Sequence, residues 1–489
     1  MNSLREKTIS GLKWSFIESI ISQGIHFVVG IILARILSPS EFGLIGMLTF
    51  FIAVSQSFID SGFSQALIRK QNCSDADFST VFYFNLIVGI VFYIIFFFSS
   101  RLISNFYKEP QLFNLIRVLG VVLIINSITI LQRTILTKNI NFKLQTRISV
   151  IASVSSGIIG ISMAYSGFGV WALVGKTISQ QFINSMLLWK WNKWIPKWVF
   201  DKKSFREMFK FGSRLMLSGL IDTIYKNLYY LIIGKFFSSA QLGYYTRAEQ
   251  FSNIPSSNIT GVIQRVSYPV LSTIQDDSER LKAGYKKLIK TTMFVSFTLM
   301  LTMAAIAKPM IIVLIGSKWI TSAIYLQLLC LVGMLYPLHV LNLNMLNVKG
   351  RSDLFLKLEI IKKLLAIPII ILGIMIGIKA MILGMFFLSI ISYFINSYWS
   401  ARLINYSVRE QLLDILPDFI FALTLAVCII LPSIFLHFKP IYMLTIQCLL
   451  ATLLFSLLVN IFKIDSYIEI KNVIREQIVL FKNKQYGKE

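Results

Sequence analysis

Charged side chains within otherwise apolar stretches are the residues of this sequence best suited to bind a ligand. Eight of them are cations and four are anions: Glu18, Arg35, Asp60, Arg117, Lys176, Arg214, Asp222, Lys226, Arg247, Glu249, Arg265 and Lys308. A charge inside a membrane segment is costly and usually faces a cavity or a partner. The excess of cations predicts a pocket for an anionic ligand, and Arg favours phosphate because its planar fork binds two oxygens at once.

Two roles are predicted within this set. The candidate ligand-binding cations are Arg214, Lys226, Arg265, Arg247 and Arg35. The candidate charge-balancing or ion-coupling carboxylates are Glu18, Asp222 and Asp60. Simpler roles are also compatible with the sequence: Arg35 can reach lipid headgroups from the end of its stretch, Asp222 and Lys226 can neutralise each other at their i, i+4 spacing, and Arg247 can lie at an outer edge.

Motifs for covalent or metal chemistry are missing from the sequence. It holds no Gly-rich phosphate loop, no nucleophile elbow and no His/Cys/carboxylate cluster with metal-ligand spacing. The pair Asp276-Asp277 resembles the DD pair of membrane glycosyltransferases, but it lies in a short charged loop without the soluble domain that such chemistry needs. The sequence therefore predicts a protein that is not an enzyme and that binds no metal or cofactor.

The apolar stretches themselves indicate a polytopic membrane protein. Hydrophobic residues make up 55% of the 489, and charged residues 15%. About a quarter of the residues are charged in a typical soluble domain. Hydropathy predicts about fourteen membrane-spanning helices and hence an all-α fold. The predicted spans are 13–37, 42–63, 80–100, 112–132, 148–167, 169–189, 211–234, 244–271, 291–315, 320–346, 354–377, 379–400, 412–436 and 440–462.

The net charge of +25 is explained by topology and not by nucleic-acid binding, which we exclude. With a cytoplasmic N-terminus, the basic loops near 133–147, 190–210, 280–290 and 349–363 all lie on the cytoplasmic side, as the positive-inside rule requires. Omitting the polar span 244–271 would invert every later loop. The pattern therefore predicts that both termini are cytoplasmic.

A short internal repeat occurs at an offset of 200 residues. Residues 33–43 align with 233–243, and the polar triplet Glu18, Ser22 and His26 aligns with Ser218, Asp222 and Lys226. Span one then corresponds to span seven, which predicts two similarly oriented six-helix lobes and two extra C-terminal helices. The predicted domains are an N-terminal lobe at 1–203, a C-terminal lobe at 204–403, and the last two helices with a cytoplasmic tail at 404–489.

Several short motifs follow one another along the chain. Residues 32–43 read ILARILSPSEFG, and residues 58–67 read FIDSGFSQAL. The later motifs are GYYTRA at 243–248, RVSYP at 265–269, LSTIQD at 271–276, GSKW at 316–319 and KGRSD at 349–353. Together they resemble Wzx-type flippases of the multidrug/oligosaccharidyl-lipid/polysaccharide exporter superfamily, in particular the colanic-acid and teichuronic-acid branch. The resemblance extends over nearly the whole chain.

The resemblance implies a substrate and a location. The substrate would be a polyprenyl-diphosphate-linked oligosaccharide repeat, moved across the bacterial inner membrane by alternating access for O-antigen, capsule or exopolysaccharide synthesis. Membrane lipids and the polysaccharide polymerase or export machinery would be its partners. The two extra helices would form a groove for the lipid tail, as in related lipid flippases.

Two rival functions fit parts of the pattern. A multidrug/cation antiporter of the same superfamily would need an acidic cavity for its cationic drugs, whereas the charges here are mainly basic. A membrane polysaccharide polymerase or ligase would usually need a large outward-facing loop with catalytic groups, and every predicted outer loop here is short.

Overall fold

The computed structural model of the chain describes residues 2–472, 475 and 476. Seventeen α-helices and one short 3-10 turn, and no strand, occur in these residues, so the all-α prediction is confirmed. The first nine helices are α1 Asn2–Ile36, α2 Pro39–Asp60, α3 Phe63–Arg69, α4 Asp75–Tyr107, α5 Leu112–Leu119, α6 Val121–Lys138, α7 Phe142–Tyr165, α8 Val170–Asn192 and α9 Lys202–Phe236. The others are α10 Ser239–Thr273, α11 Ser278–Ile315, α12 Ile320–Gly333, α13 Tyr336–Val348, α14 Ser352–Ile376, α15 Ile378–Ile404, α16 Val408–Phe435 and α17 Pro440–Phe462.

Each predicted span falls on one of these helices or on a consecutive pair. The fourth span is divided at Gly120 into α5 and α6, and the tenth is divided into α12 and α13. By length and apolar composition, ten helical segments of the described chain can cross a membrane. The helices α8, α9, α10 and α14 are not among them, because polar or charged residues interrupt their apolar stretches. The protein is a multi-pass membrane protein.

The chain divides into two compact units, Met1–Thr246 and Arg247–Glu489. In unit 1, α7 packs against α1 and α8, and α9 packs against α2, α3 and α4. The predicted domain bounds of 1–203, 204–403 and 404–489 rest on the sequence repeat and stay a prediction. Residues 473, 474 and 477–489 of the predicted cytoplasmic tail lie outside the described residues.

Contacts in unit 1 sort the loops to its two ends in the way that the charge pattern predicts. The Lys138 ammonium donates to the Leu67 carbonyl at 2.8 Å, which joins two loops predicted to be cytoplasmic. The Lys235 ammonium donates to the Phe106 carbonyl at 2.5 Å, which joins two predicted outer loops. The contacts support the grouping of these loops, and the side of the membrane on which each group lies stays a prediction.

The two copies of the sequence repeat meet within unit 1. Helices α1 and α9 are both 35 residues long and begin 200 positions apart. A Cβ on Gly43 would lie 1.7 Å from the Ser239 carbonyl oxygen, and a Cβ on Gly243 would lie 1.8 Å from the Pro39 carbonyl oxygen. Because the contact is reciprocal, the first turns of α2 and α10 are related by a local two-fold axis. Glycine at both positions allows this close backbone approach.

In unit 2, helix α11 packs against α12, α16 and α17. Lysines on successive turns of α11 face carboxylates on α16. Lys282 Nζ lies 3.0 Å from Glu410 Oε2, and Lys286 Nζ lies 2.9 Å from Asp414 Oδ2. Both extra C-terminal helices of the prediction therefore pack on α11, and ion pairs hold one end of α16 against it.

Candidate functional site

Arg214 lines a basic pocket in unit 1. The cavity has a volume of about 410 Å³. Its lining residues, which define the basic pocket, are Ala66, Arg69, Lys70, Glu207, Met208, Lys210, Phe211 and Arg214. Four of them are cations and one is a carboxylate, so the lining carries a net charge of 4 − 1 = +3. Residues 207, 210, 211 and 214 share one face of α9 because their spacing is i, i+3, i+4, i+7.

A glycine pair brings the two walls of the pocket together. The chain turns between α2 and α3 at Ser61 and Gly62, which both have positive φ. A Cβ on Gly62 would lie 2.5 Å from the Gly212 carbonyl oxygen, and a Cβ on Gly212 would lie 2.7 Å from the Ser61 carbonyl oxygen. The turn therefore rests directly on the backbone of α9. Short helix α3 follows the turn and carries Arg69 to the pocket on its last turn.

Two of the four cations are held by neighbouring groups. The Lys70 ammonium lies 3.0 Å from Asp77 Oδ1 and 3.4 Å from Glu207 Oε2. Partial burial disfavours its charge, but the two carboxylates outweigh burial and raise the pKa of Lys70 above its ordinary value. The Arg69 guanidinium lies 4.6 Å from the centre of the Phe211 ring, a cation–π contact.

The charges of the other two cations are not neutralised by any described neighbouring group and can act on a ligand. Within the part of the chain that the structure describes, Lys210 and Arg214 make no ion pair and no side-chain hydrogen bond. Both lie on the exposed side of α9. A pocket that combines fixed cations with two unpaired ones is suited to an anion with several oxygens, and a phosphate is such an anion.

The remaining predicted residues of unit 1 lie outside this pocket. Lys226 Nζ lies 3.8 Å from Asp222 Oδ2, so the two residues form the i, i+4 pair that their spacing allows. Both side chains are more than half exposed, so this pair contributes little to stability. Asp60 accepts a hydrogen bond of 2.6 Å from the Ser64 hydroxyl. Glu18 is half-buried, and Arg35 is exposed on the last turn of α1.

Arg247 and Arg265 lie on α10 within unit 2. Arg247 is half-buried and Arg265 is exposed. The idea that they share a cavity with Arg214 and Lys226 stays a prediction.

Three cations of the basic pocket are not among the predicted site residues. Lys210 falls in a predicted basic loop, although it lies one turn before Arg214 on α9. Arg69 and Lys70 close a short helix that is more than 130 residues distant in sequence. The i, i+3, i+4, i+7 pattern at 207–214 could have indicated the α9 wall, but no local signal places α3 beside it.

The sequence profile described as polysaccharide biosynthesis protein matches residues 32–324. The chain belongs to this family. It is 28% identical over 434 residues to the lipopolysaccharide biosynthesis protein WzxC of Escherichia coli (strain K12), a match that covers 87% of each chain. It is 27% identical to the teichuronic acid biosynthesis protein TuaB of Bacillus subtilis (strain 168), over 72% of this chain and 74% of TuaB.

Solved structures show the fold of this polysaccharide biosynthesis protein. The lipid II flippase MurJ, in an inward closed conformation, superposes with a TM-score of 0.74 at 17% identity, over 93% of this chain and 98% of MurJ. An inward-facing MATE family multidrug transporter superposes with a TM-score of 0.62 at 14% identity, over 78% of this chain and 94% of that one. The family match and the similarity to WzxC confirm the resemblance to Wzx-type polysaccharide transporters.

Proposed function

We propose that this protein is a flippase for a polyprenyl-diphosphate-linked oligosaccharide repeat unit. It moves the repeat unit across the bacterial inner membrane by alternating access, and the repeat unit is used for O-antigen, capsule or exopolysaccharide synthesis. Both termini are cytoplasmic in this proposal, and the protein is a transporter and not an enzyme. Its family and the names of its relatives support this class of substrate.

The basic pocket is the observation that carries the proposal. A diphosphate that enters a protein cavity loses hydration, and this loss is offset only when fixed donors replace the water. Arg69 and Lys70 are fixed donors, and Lys210 and Arg214 are free to move onto the ligand. The pocket lies at the end of unit 1 that the charge pattern assigns to the cytoplasm, which is the side on which the lipid-linked repeat is assembled in this proposal.

Further steps of transport would use the other predicted charges. Lys226, Arg265, Arg247 and Arg35 would meet the diphosphate as it crosses. Glu18, Asp222 and Asp60 would balance these cations and allow release, because a site that binds too tightly does not turn over. Protonation or ion binding at these carboxylates would couple ion movement to transport. Polysaccharide polymerase or export machinery would then receive the repeat unit on the outer side.

A binding measurement separates this function from cation export. The purified protein in detergent is titrated with a water-soluble short-chain prenyl diphosphate, with the matching prenyl alcohol, and with a lipophilic cationic dye. We expect saturable binding of the diphosphate, weaker binding of the alcohol, and competition by inorganic diphosphate. Saturable binding of the dye alone would favour the multidrug/cation antiporter.

A further inference from the structure

The connection between α8 and α9 presents large apolar side chains outward although it is not a membrane-crossing helix. Residues 193–201 form this connecting segment. Trp198 is 93% exposed and Ile195 is 74% exposed. Val199 and Phe200 are also exposed. Such a row of apolar groups in a loop indicates a surface that contacts an apolar partner.

Hydrogen bonds hold the connecting segment in place, so the fold fixes the outward position of its apolar side chains. The Gln132 amide donates to the Trp194 carbonyl at 3.0 Å. The backbone N–H of Lys197 donates to Ser79 Oγ at 2.9 Å. Trp194 packs inward against Phe78, with ring centres 6.1 Å apart. The segment therefore combines one inward tryptophan, Trp194, with one outward tryptophan, Trp198.

The charges around these apolar groups are predominantly positive. The exposed lysines of the segment and its flank are Lys190, Lys193, Lys197, Lys202 and Lys203. Lys197 forms an ion pair of 2.6 Å with Asp75. Lys202 and Lys203 begin α9, where the positive end of the helix dipole disfavours cations. The Asp201 carboxylate caps the helix and accepts a hydrogen bond of 3.0 Å from the Lys203 backbone N–H. The lysines outnumber this carboxylate, so the positive charge remains in excess.

We infer that the connecting segment binds the surface of an anionic lipid leaflet. Trp198 and Ile195 enter the boundary between headgroups and acyl chains, where amphipathic aromatic rings are favoured. The lysines contact lipid phosphates, because basic residues beside a membrane are attracted to anionic lipids. The combination of apolar tips, flanking lysines and hydrogen bonds to α4 and α6, which are long and apolar enough to cross a membrane, favours a lipid surface over a soluble partner.

This placement has a consequence for the basic pocket, which rests on the proposed function. Helix α9 begins at Lys202 and reaches Arg214 twelve residues later, a rise of about 18 Å. Aromatic rings line the start of this path, with Phe200 and Phe205 5.7 Å apart and Phe205 stacked on Phe209 at 5.5 Å. In this placement the connecting segment adjoins the end of α9 that leads to the basic pocket.

Lipid quenching of tryptophan fluorescence tests the inference. The full-length protein is placed in nanodiscs of phosphatidylcholine and phosphatidylglycerol with acyl chains brominated near the headgroup, which quench a tryptophan only at contact. We expect Trp198→Phe to reduce the quenched part of the emission, while the matched Trp194→Phe leaves it unchanged. An equal quenched part in wild type and Trp198→Phe would overturn the inference.

Two further measurements guard against a misfolded variant and test the charge requirement. A nitroxide on Ile195→Cys, in a background without Cys73, Cys330, Cys428 and Cys448, should report a depth inside the acyl region. A depth in water would contradict the inference. Replacing Lys193, Lys202 and Lys203 by Gln should reduce the rise in Tm that phosphatidylglycerol gives over phosphatidylcholine, and an unchanged rise would refute the anionic-lipid part. All three outcomes are independent of substrate transport.

Discussion

Arg214 shows how much of the candidate site could be predicted from single residues of the sequence. Its position inside an apolar stretch indicates a functional cation, and it lines the basic pocket. The pocket could not be predicted as a whole, because Arg69 and Lys70 reach it through the contact between Gly62 and Gly212. Such a contact joins segments far apart in sequence and leaves no periodic signal. The roles of all the predicted site residues stay predictions: Arg214, Lys226, Arg265, Arg247, Arg35, Glu18, Asp222 and Asp60.

The proposed function predicts a graded effect at Arg214. Losing one charge-assisted contact to the diphosphate costs about 1.5–3 kcal/mol, so Arg214→Ala should weaken short-chain prenyl diphosphate binding roughly 10- to 100-fold. Arg214→Lys should lie between wild type and Arg214→Ala, because the charge remains and the two-pronged geometry is lost. Arg206→Ala is the control, since Arg206 is exposed on α9 and does not line the pocket. Equal affinities of Arg214→Ala and Arg206→Ala would contradict this role.

At the scale of helices, hydropathy and loop charge together predict a span that hydropathy alone does not. Only the charge pattern requires a span at 244–271, and α10 is a helix there despite Pro255 and Pro269. Breaks within apolar runs could not be predicted, such as the division of α5 from α6 at Gly120. Gly120 keeps right-handed helical φ and ψ, and a local break of this kind does not alter hydropathy.

Two glycines on α9 provide a matched test of how the pocket walls are joined. Gly212→Ala would place a methyl group 2.7 Å from the Ser61 carbonyl oxygen, whereas a Cβ on Gly219 meets no atom within 4 Å. We expect Gly212→Ala to destabilise the protein by about 1–3 kcal/mol through overpacking. Gly219→Ala should be neutral or stabilising by up to about 1 kcal/mol, because Ala favours the helix. Thermal unfolding in detergent measures both, and a Gly212→Ala variant as stable as Gly219→Ala would show that the contact is not constrained.

At the scale of the molecule, the two copies of the sequence repeat meet at the first turns of α2 and α10, and the two-lobe arrangement stays a prediction. The reciprocal contact of Gly43 with Ser239 and of Gly243 with Pro39 repeats the 200-residue offset of the sequence. The two extra helices of the prediction, α16 and α17, pack on α11 in unit 2. The ion pairs between α11 and α16 could not be predicted, because Lys282 and Glu410 are 128 positions apart.

Topology follows from the loop charges and can be measured directly. In a background without native cysteines, Lys203→Cys should react with a membrane-impermeant maleimide only after the cells are permeabilised. Lys108→Cys should react in intact cells, because it lies in a loop predicted to face outward. Labelling of Lys203→Cys in intact cells would show that unit 1 has the opposite orientation to the one proposed.

Transport of the lipid-linked substrate by the purified protein tests the central claim most directly. Vesicles that contain a fluorescent prenyl-diphosphate oligosaccharide are reconstituted with wild type, Arg214→Ala or Arg206→Ala, and the sugar exposed outside is followed with a lectin. We predict that wild type and Arg206→Ala bring inner-leaflet substrate to the outer surface, and that Arg214→Ala does so at least about tenfold more slowly, in line with the lost phosphate contact. Failure of the wild type to expose inner-leaflet substrate would contradict the proposed function, and equal rates for all three proteins would contradict the role of the basic pocket.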